Sequence, residues 1–436
     1  MVKNTVSRLR LKKPGGLAPF LGLLPLFMMA HFGHHLVNSL PIPLLPMIRQ
    51  DFDLNFTQSG LLISAFTLSY GLSQFPAGWL ADRMGPRIIL TVSICGVSVA
   101  GFLFGLAQSY PAMLALMLAM GVLGGGYHPT APPLILAAVD PKKHGRAMGL
   151  HMVGGSAPFF LAPLIAVALA SVWGWRGTFI ALAVPTMLFG VVFYLALKRY
   201  SQTAETEKSR SDLPQNEARP PTGIPRRLVP FIVLSTFTHA VTFCIVAFIP
   251  LFLIDRFGLD KKSAAAFLSV YYSAGLWASL LGGILSDRIG GVPVVFAACF
   301  IAAPMILFLN VSPSVLLIGF LLFVLGITNY VRTPVSESYI VSQASARHRS
   351  TLLGIYYFSN MEGGGVLTPL MGFLIDRYGF YFSFSAAGAV LLLVALICLI
   401  WLRYASRPDA PEPPDNFPQA RPRFQRSGCH RTPEGK

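Results

Sequence analysis

Long apolar runs, each closed by Gly, Pro or a cluster of charges, recur along the chain. A bilayer core is crossed by roughly 20 residues of helix, and only helices and closed barrels cross it with every backbone polar group bonded. Helices fit these runs. The pattern predicts an all-α membrane protein of twelve transmembrane helices, near 18–47, 57–80, 88–107, 111–138, 147–171, 177–197, 228–254, 263–285, 292–310, 314–342, 350–375 and 380–402. Between them lie segments too polar to bury a core. This divides the chain into a basic N-terminus (1–17), a first six-helix bundle (18–199), a polar linker (200–227), a second six-helix bundle (228–403) and a tail (404–436) expected to be disordered. The apolar run after the basic N-terminus is about thirty residues long, interrupted by histidines, and reads as the first span rather than a cleaved signal.

The two bundles repeat one another. GWLADRMG ends a span at Asp82 and GGILSDRIG does so at Asp287, 205 positions on. His35 and His239, Pro46 and Pro250, Phe52 and Phe257, Leu54 and Leu259, Gly149 and Gly354, Trp173 and Tyr378, and Phe179 and Phe384 keep the same offset within one residue. Repeats of this kind are how many transporters arrange a site that opens alternately to either side.

Composition agrees with a lipid setting: 54% of residues are hydrophobic and 12% charged, against about 25% charged in soluble domains. The net charge of +16 does not require nucleic acid, because the charges follow topology. With both termini in the cytoplasm, Arg49, Arg176, Arg256, Lys261, Lys262 and Arg377 fall outside, Arg332 lies within a span, and the remaining Lys and Arg fall inside. That orientation fits a bacterial inner membrane. Four of the five cysteines sit in apolar runs, so no disulfide framework is implied. No Gly-x4-Gly-Lys-Ser/Thr loop is present, and neither ATP-driven movement, a cofactor nor enzymatic catalysis is expected.

Ionisable groups inside spans cost at least about 2.5–3.5 kcal/mol each and normally face a cavity or a partner. Arg332 and Glu337 in span ten, and Glu362 in span eleven, are such groups. They read either as an ion pair bracing the two helices, or as an anion-binding Arg beside a carboxyl that takes a proton. Pro334 predicts a local break beside Arg332. In span one, His31, His34, His35 and Asn38 share a helix face, and with His128 and His239 they are expected to line a central cavity. No acidic or Cys ligand accompanies these histidines in the sequence, so no metal site is expected. Gly154, Gly155, Pro158 and Pro163 in span five, with Gly363, Gly364, Gly365 and Pro369 in span eleven, are expected to pack the two bundles together.

The stretch Gly78-Trp-Leu-Ala-Asp82-Arg83-Met-Gly85-Pro-Arg87 resembles the signature loop of the major facilitator superfamily, and Gly283, Asp287, Arg288 and Gly290 repeat a reduced form of it. The resemblance covers roughly 18–402 and implies that family's two-bundle fold. It also implies a gating role for the loop, with Gly78 allowing close helix approach and Asp82 capping a helix end and holding basic partners; Pro86 stands where the family has Arg. Residues 31–46, 124–129 and 153–163 resemble more narrowly the fosmidomycin-resistance branch of efflux transporters. Where that branch carries acidic residues this chain has Ser39 and Thr130, leaving carboxylates within the spans only in the second bundle. These features imply a monomeric, proton-coupled secondary transporter exporting a small organic anion. Symport or facilitated uptake of a nutrient acid would use the same residues. A rival of another class is a non-transporting receptor or assembly partner that docks through its tail.

Overall fold

The structure, a computed structural model, describes residues 18–138, 144–204, 227–343 and 349–405. The N-terminal 1–17, most of the linker and the tail beyond 405 lie outside the described residues. Every described element is helical: α1 (Ala18–Asn38), α2 (Pro41–Asp51), α3 (Phe56–Met84), α4 (Pro86–Gly105), α5 (Tyr110–Gly124), α6 (Tyr127–Ala138), α7 (His144–Ala204), α8 (Leu228–Phe257), α9 (Lys261–Ser273), a 3-10 turn (Ala274–Leu276), α10 (Ala278–Ile289), α11 (Gly291–Val311), α12 (Val315–Gln343) and α13 (Arg349–Ala405). Seven described helices are long and apolar enough to cross a membrane, or eight if α9 and α10, bent by 43°, count as one span. Two of the seven, in α7 and α13, run to 52 and 50 residues, over twice the roughly 20 that a crossing needs. Each consists of two helices joined at a non-helical glycine, Gly174 and Gly379.

Three spans that read as single runs are broken, each for a local reason. Between α1 and α2 the chain kinks at Ser39 and Leu40, because Pro41 offers no N–H to continue the helix. Between α5 and α6 it turns at Gly125 and Gly126. The third break is the 3-10 turn before α10. The break expected at Pro334 is not there: α12 runs through it, and the Thr333 hydroxyl donates to the Asn329 carbonyl at 3.0 Å in that turn.

The backbone carries the internal repeat independently of side chains. The six described residues with positive φ form three pairs, each 205 positions apart: Asp53 and Gly258, Gly85 and Gly290, Gly174 and Gly379. Gly85 (φ 91°) and Gly290 (φ 89°) close α3 and α10 and cap the next helices, a conformation that L side chains rarely adopt. Helix starts repeat too. Asn55 accepts from Gln58 N at 2.7 Å before α3, and Asp260 accepts from Lys262 N and Ser263 N at 2.9 and 3.0 Å before α9.

Close helix contact is made by glycines other than Gly78 and its counterpart Gly283. A Cβ on Gly121 would meet the Ser69 hydroxyl and the Phe66 carbonyl, and one on Gly326, its equivalent, would meet the Tyr271 carbonyl. A Cβ on Gly78 would find only Pro129 at 3.7 Å, ordinary contact, and one on Gly283 nothing within 4 Å. Both therefore have room to spare. Overpacking a tight site costs about 1–3 kcal/mol or more. Gly326→Leu is expected to lose the monodisperse peak in size-exclusion chromatography, while Gly283→Leu purifies normally.

Candidate functional site

Helices from both bundles enclose a cavity of about 510 Å³. The first bundle contributes His35, Asn38, His128 and His151, and the second His239, Glu337, Tyr356 and Asn360. The kink after α1 puts Asn38, Ser39 and Pro41 in the wall. Asn38 Nδ2 and Asn360 Oδ1 are buried without a protein partner. The volume suits a small organic molecule.

Arg332 is 1% exposed and lies behind this wall rather than in it. Its bonds go to neutral acceptors: the Ser235 carbonyl and hydroxyl at 2.8 and 2.7 Å, Asn329 Oδ1 at 3.0 Å, His239 Nδ1 at 3.2 Å, and the Tyr356 and Thr333 hydroxyls at 3.4 Å. The expected alternative of a permanent ion pair with Glu337 or Glu362 is therefore not what the fold makes. Because Nη2 donates to His239 Nδ1, the His239 proton sits on Nε2, and both His239 and Tyr356 line the cavity. Glu337 lines it too and accepts from the Tyr357 hydroxyl, within electrostatic reach of Arg332. Glu362 does not; its carboxyl lies against Gly71 of α3, with Oε1 unpartnered.

In the first bundle the corresponding place is filled by imidazoles. His31 stacks against both Tyr127 and His151, with centroids at 5.0 and 4.2 Å, and His34 stacks on Tyr127 at 4.7 Å. The repeat accounts for this position by position. Ser235 is equivalent to His31, His239 to His35, Arg332 to Tyr127, Thr333 to His128 and Tyr356 to His151, each 204 or 205 residues on. One constellation is built twice, with aromatic groups first and a guanidinium with hydroxyls second.

The span-five glycines do not join the bundles as expected. Gly154 packs against the Met28 backbone and Gly155 against the His31 ring, both within the first bundle. Gly365 does meet Leu68 of the other bundle, while Gly363 and Gly364 face Ala240 and Phe243. In the signature loop Arg83 stacks on Trp79 at 3.7 Å, and Arg87 donates to the Tyr194 hydroxyl at 3.1 Å. Asp287 and Arg288 are exposed, and no ion pair joins them to a described residue; the Asp82 side chain lies outside those described.

Two contributors escaped the sequence reading. His151 joins the imidazole cluster from α7; a polar residue inside the apolar 147–171 run was its only signal. Asp376, on α13, accepts from Phe56 N at 2.9 Å, Thr57 N at 2.7 Å and the Thr57 hydroxyl at 2.5 Å, tying the start of α3 to the other bundle. A carboxylate on a helix N-terminus is favourable by typically 0.3–1 kcal/mol. Asp376→Asn is expected to open this end: in a cysteine-free background, Ser39→Cys should react several-fold faster with an impermeant thiol reagent applied from that side.

Paired helical bundles around a shared cavity, in a chain of apolar spans, are the architecture of a multi-pass membrane protein. A family model described as Major Facilitator Superfamily matches residues 27–328 and 231–432, and the chain belongs to that family. It is 28% identical over 386 residues to the "Probable sulfoacetate transporter SauU" of Cupriavidus necator, covering 81% of this chain and 87% of that one. It is also 28% identical over 392 residues to the "Multidrug resistance protein MdtG" of Klebsiella pneumoniae, covering 85% and 92%. Among solved structures it shares the fold of a bacterial homologue of the human lysosomal transporter Spinster, inward-facing and occupied, with a TM-score of 0.72 at 18% identity over 91% and 98% of the two chains.

Proposed function

We propose that this secondary transporter moves a small organic anion across the cytoplasmic membrane by alternating access, coupled to protons and in the exporting direction. The observation that carries the reading is a buried guanidinium without a carboxylate partner, one side chain behind the wall of a cavity shared by both bundles. Its charge reaches the cavity through His239 and Tyr356 and makes that wall attractive to an anion. Glu337, in the same wall, is the proton carrier. The name of the sulfoacetate relative supports an anionic solute. His35, Asn38 and His128 form the facing wall, His31 supports it from behind, and the motifs at 78–87 and 283–290 gate the rocking of the bundles.

The test is transport of labelled sulfoacetate, and of a panel of sulfonates and sugar acids, in liposomes holding the purified chain. A pH gradient alone is expected to drive net movement, opposite in direction to the protons. Movement with the protons would instead assign uptake by symport. No movement of any organic anion, beside normal movement of cations or neutral compounds, would reject the anionic assignment.

A further inference from the structure

The sequence offers span-one histidines without an acidic or Cys ligand, and the fold sets His128 against two of them. His128 arrives on α6, its ring 5.3 Å from those of His31 and His35. One nitrogen from each of the three lies within 4.8 Å of the others. The hydrogen bonds decide which nitrogen of two rings is free. His31 Nδ1 donates to the His151 carbonyl at 2.9 Å, so Nε2 carries the lone pair, and this buried Nε2 has no partner. His35 Nδ1 faces Asn38 Oδ1 at 3.3 Å, an acceptor, so the His35 proton is on Nδ1 and its lone pair also lies on Nε2. A ring nitrogen bonded to a carbonyl or amide oxygen, with the other left free, is the usual support of a metal-ligating histidine.

We infer that His31, His35 and His128 form a binding site for a divalent transition-metal ion that prefers imidazole, such as zinc, cobalt or nickel. The donor set selects against magnesium and calcium, which require oxygen ligands. His35 and His128 line the cavity, giving the ion a way in and leaving a coordination position facing the solute space. Tetrahedral zinc holds its nitrogens at about 2.0–2.1 Å, so binding draws the three rings together by roughly 1 Å. Gly155 supplies the space beside His31, since a Cβ there would strike the ring. The inference stands on the imidazole cluster and is independent of what the transporter carries.

The test uses the full chain in nanodiscs, with any purification tag removed, titrated with zinc chloride by calorimetry and with cobalt chloride by visible absorption. One ion per chain is expected, with the intense absorption of four-coordinate cobalt and three imidazoles counted by X-ray absorption spectroscopy. His31→Ala, His35→Ala and His128→Ala should each weaken binding at least about 100-fold. Asn38→Leu, which keeps every ligand but removes the His35 support, should weaken it about 10–100-fold. The combined His144→Gln, His348→Gln, His430→Gln variant should still bind one ion. Zinc should raise the melting temperature of the wild type and of this control, and not of the three alanine variants. Failure of the wild type to bind zinc or cobalt, an imidazole count below two, or binding unchanged in the three alanine variants would overturn the inference and leave a stacked aromatic cluster.

Discussion

Arg332→Gln is expected to cut transport about 100-fold while the protein still inserts and melts cooperatively. An anion held roughly 6 Å from the guanidinium gains about 3 kcal/mol at an effective dielectric constant of about 20, and about 100-fold is the matching loss. Glutamine keeps a donor for the Ser235 carbonyl but cannot span Ser235, His239 and Tyr356 together. Without Nη2, His239 is free to move its proton to Nδ1, so the polarity of the cavity wall changes with the charge. Arg332→Lys should not restore activity, since one ammonium replaces a planar fork of five donors. Initial rates at matched protein density, with a melting curve for each variant, check this. A Lys variant of normal rate would mean that Arg332 acts through charge alone; normal rate in both would remove Arg332 from the mechanism.

Glu337→Gln is expected to abolish movement driven by a pH gradient and to leave exchange of labelled for unlabelled anion intact. The amide fills the same space and still meets the Tyr357 hydroxyl, so the cavity survives while its titratable group is lost. Glu362→Gln provides the contrast. Its carboxyl faces Gly71 instead of the cavity, and gradient-driven movement should persist within about twofold, as for a substitution away from the site. Parallel assays of net flux and exchange distinguish the two carboxyls, and the reverse outcome would move the proton carrier to the interface between α3 and α13.

Much of the fold was legible because two signals need no tertiary context. Apolar length marks the helices, and the 205-residue repeat carries caps and turns with it, as Asn55 with Asp260 and Gly85 with Gly290 demonstrate. Helix breaks were less legible. Proline at 41 breaks a span and proline at 334 does not, because what decides is whether surrounding groups accommodate the lost bond, and that is a tertiary matter. The site was legible as residue types and not as partnerships. Arg332, Glu337 and Glu362 all stood out as charges among apolar residues, yet nothing local says that Arg332 pairs with Ser235, His239 and Tyr356 and with no carboxylate. His151 and Asp376 were missed for the same reason: one histidine in an apolar run and one aspartate near a span end acquire meaning only from helices more than a hundred positions away.

Alternating access requires the two bundles to move relative to each other around the cavity, and the contact between Thr57 and Asp376 is where that motion can be stopped. In a cysteine-free background, Thr57→Cys combined with Asp376→Cys places two thiols across the bundle interface. Oxidation to the disulfide is expected to abolish anion transport in liposomes and reduction to restore it, with each single variant unaffected by either treatment. Transport at full rate through the cross-linked protein would contradict alternating access in this chain.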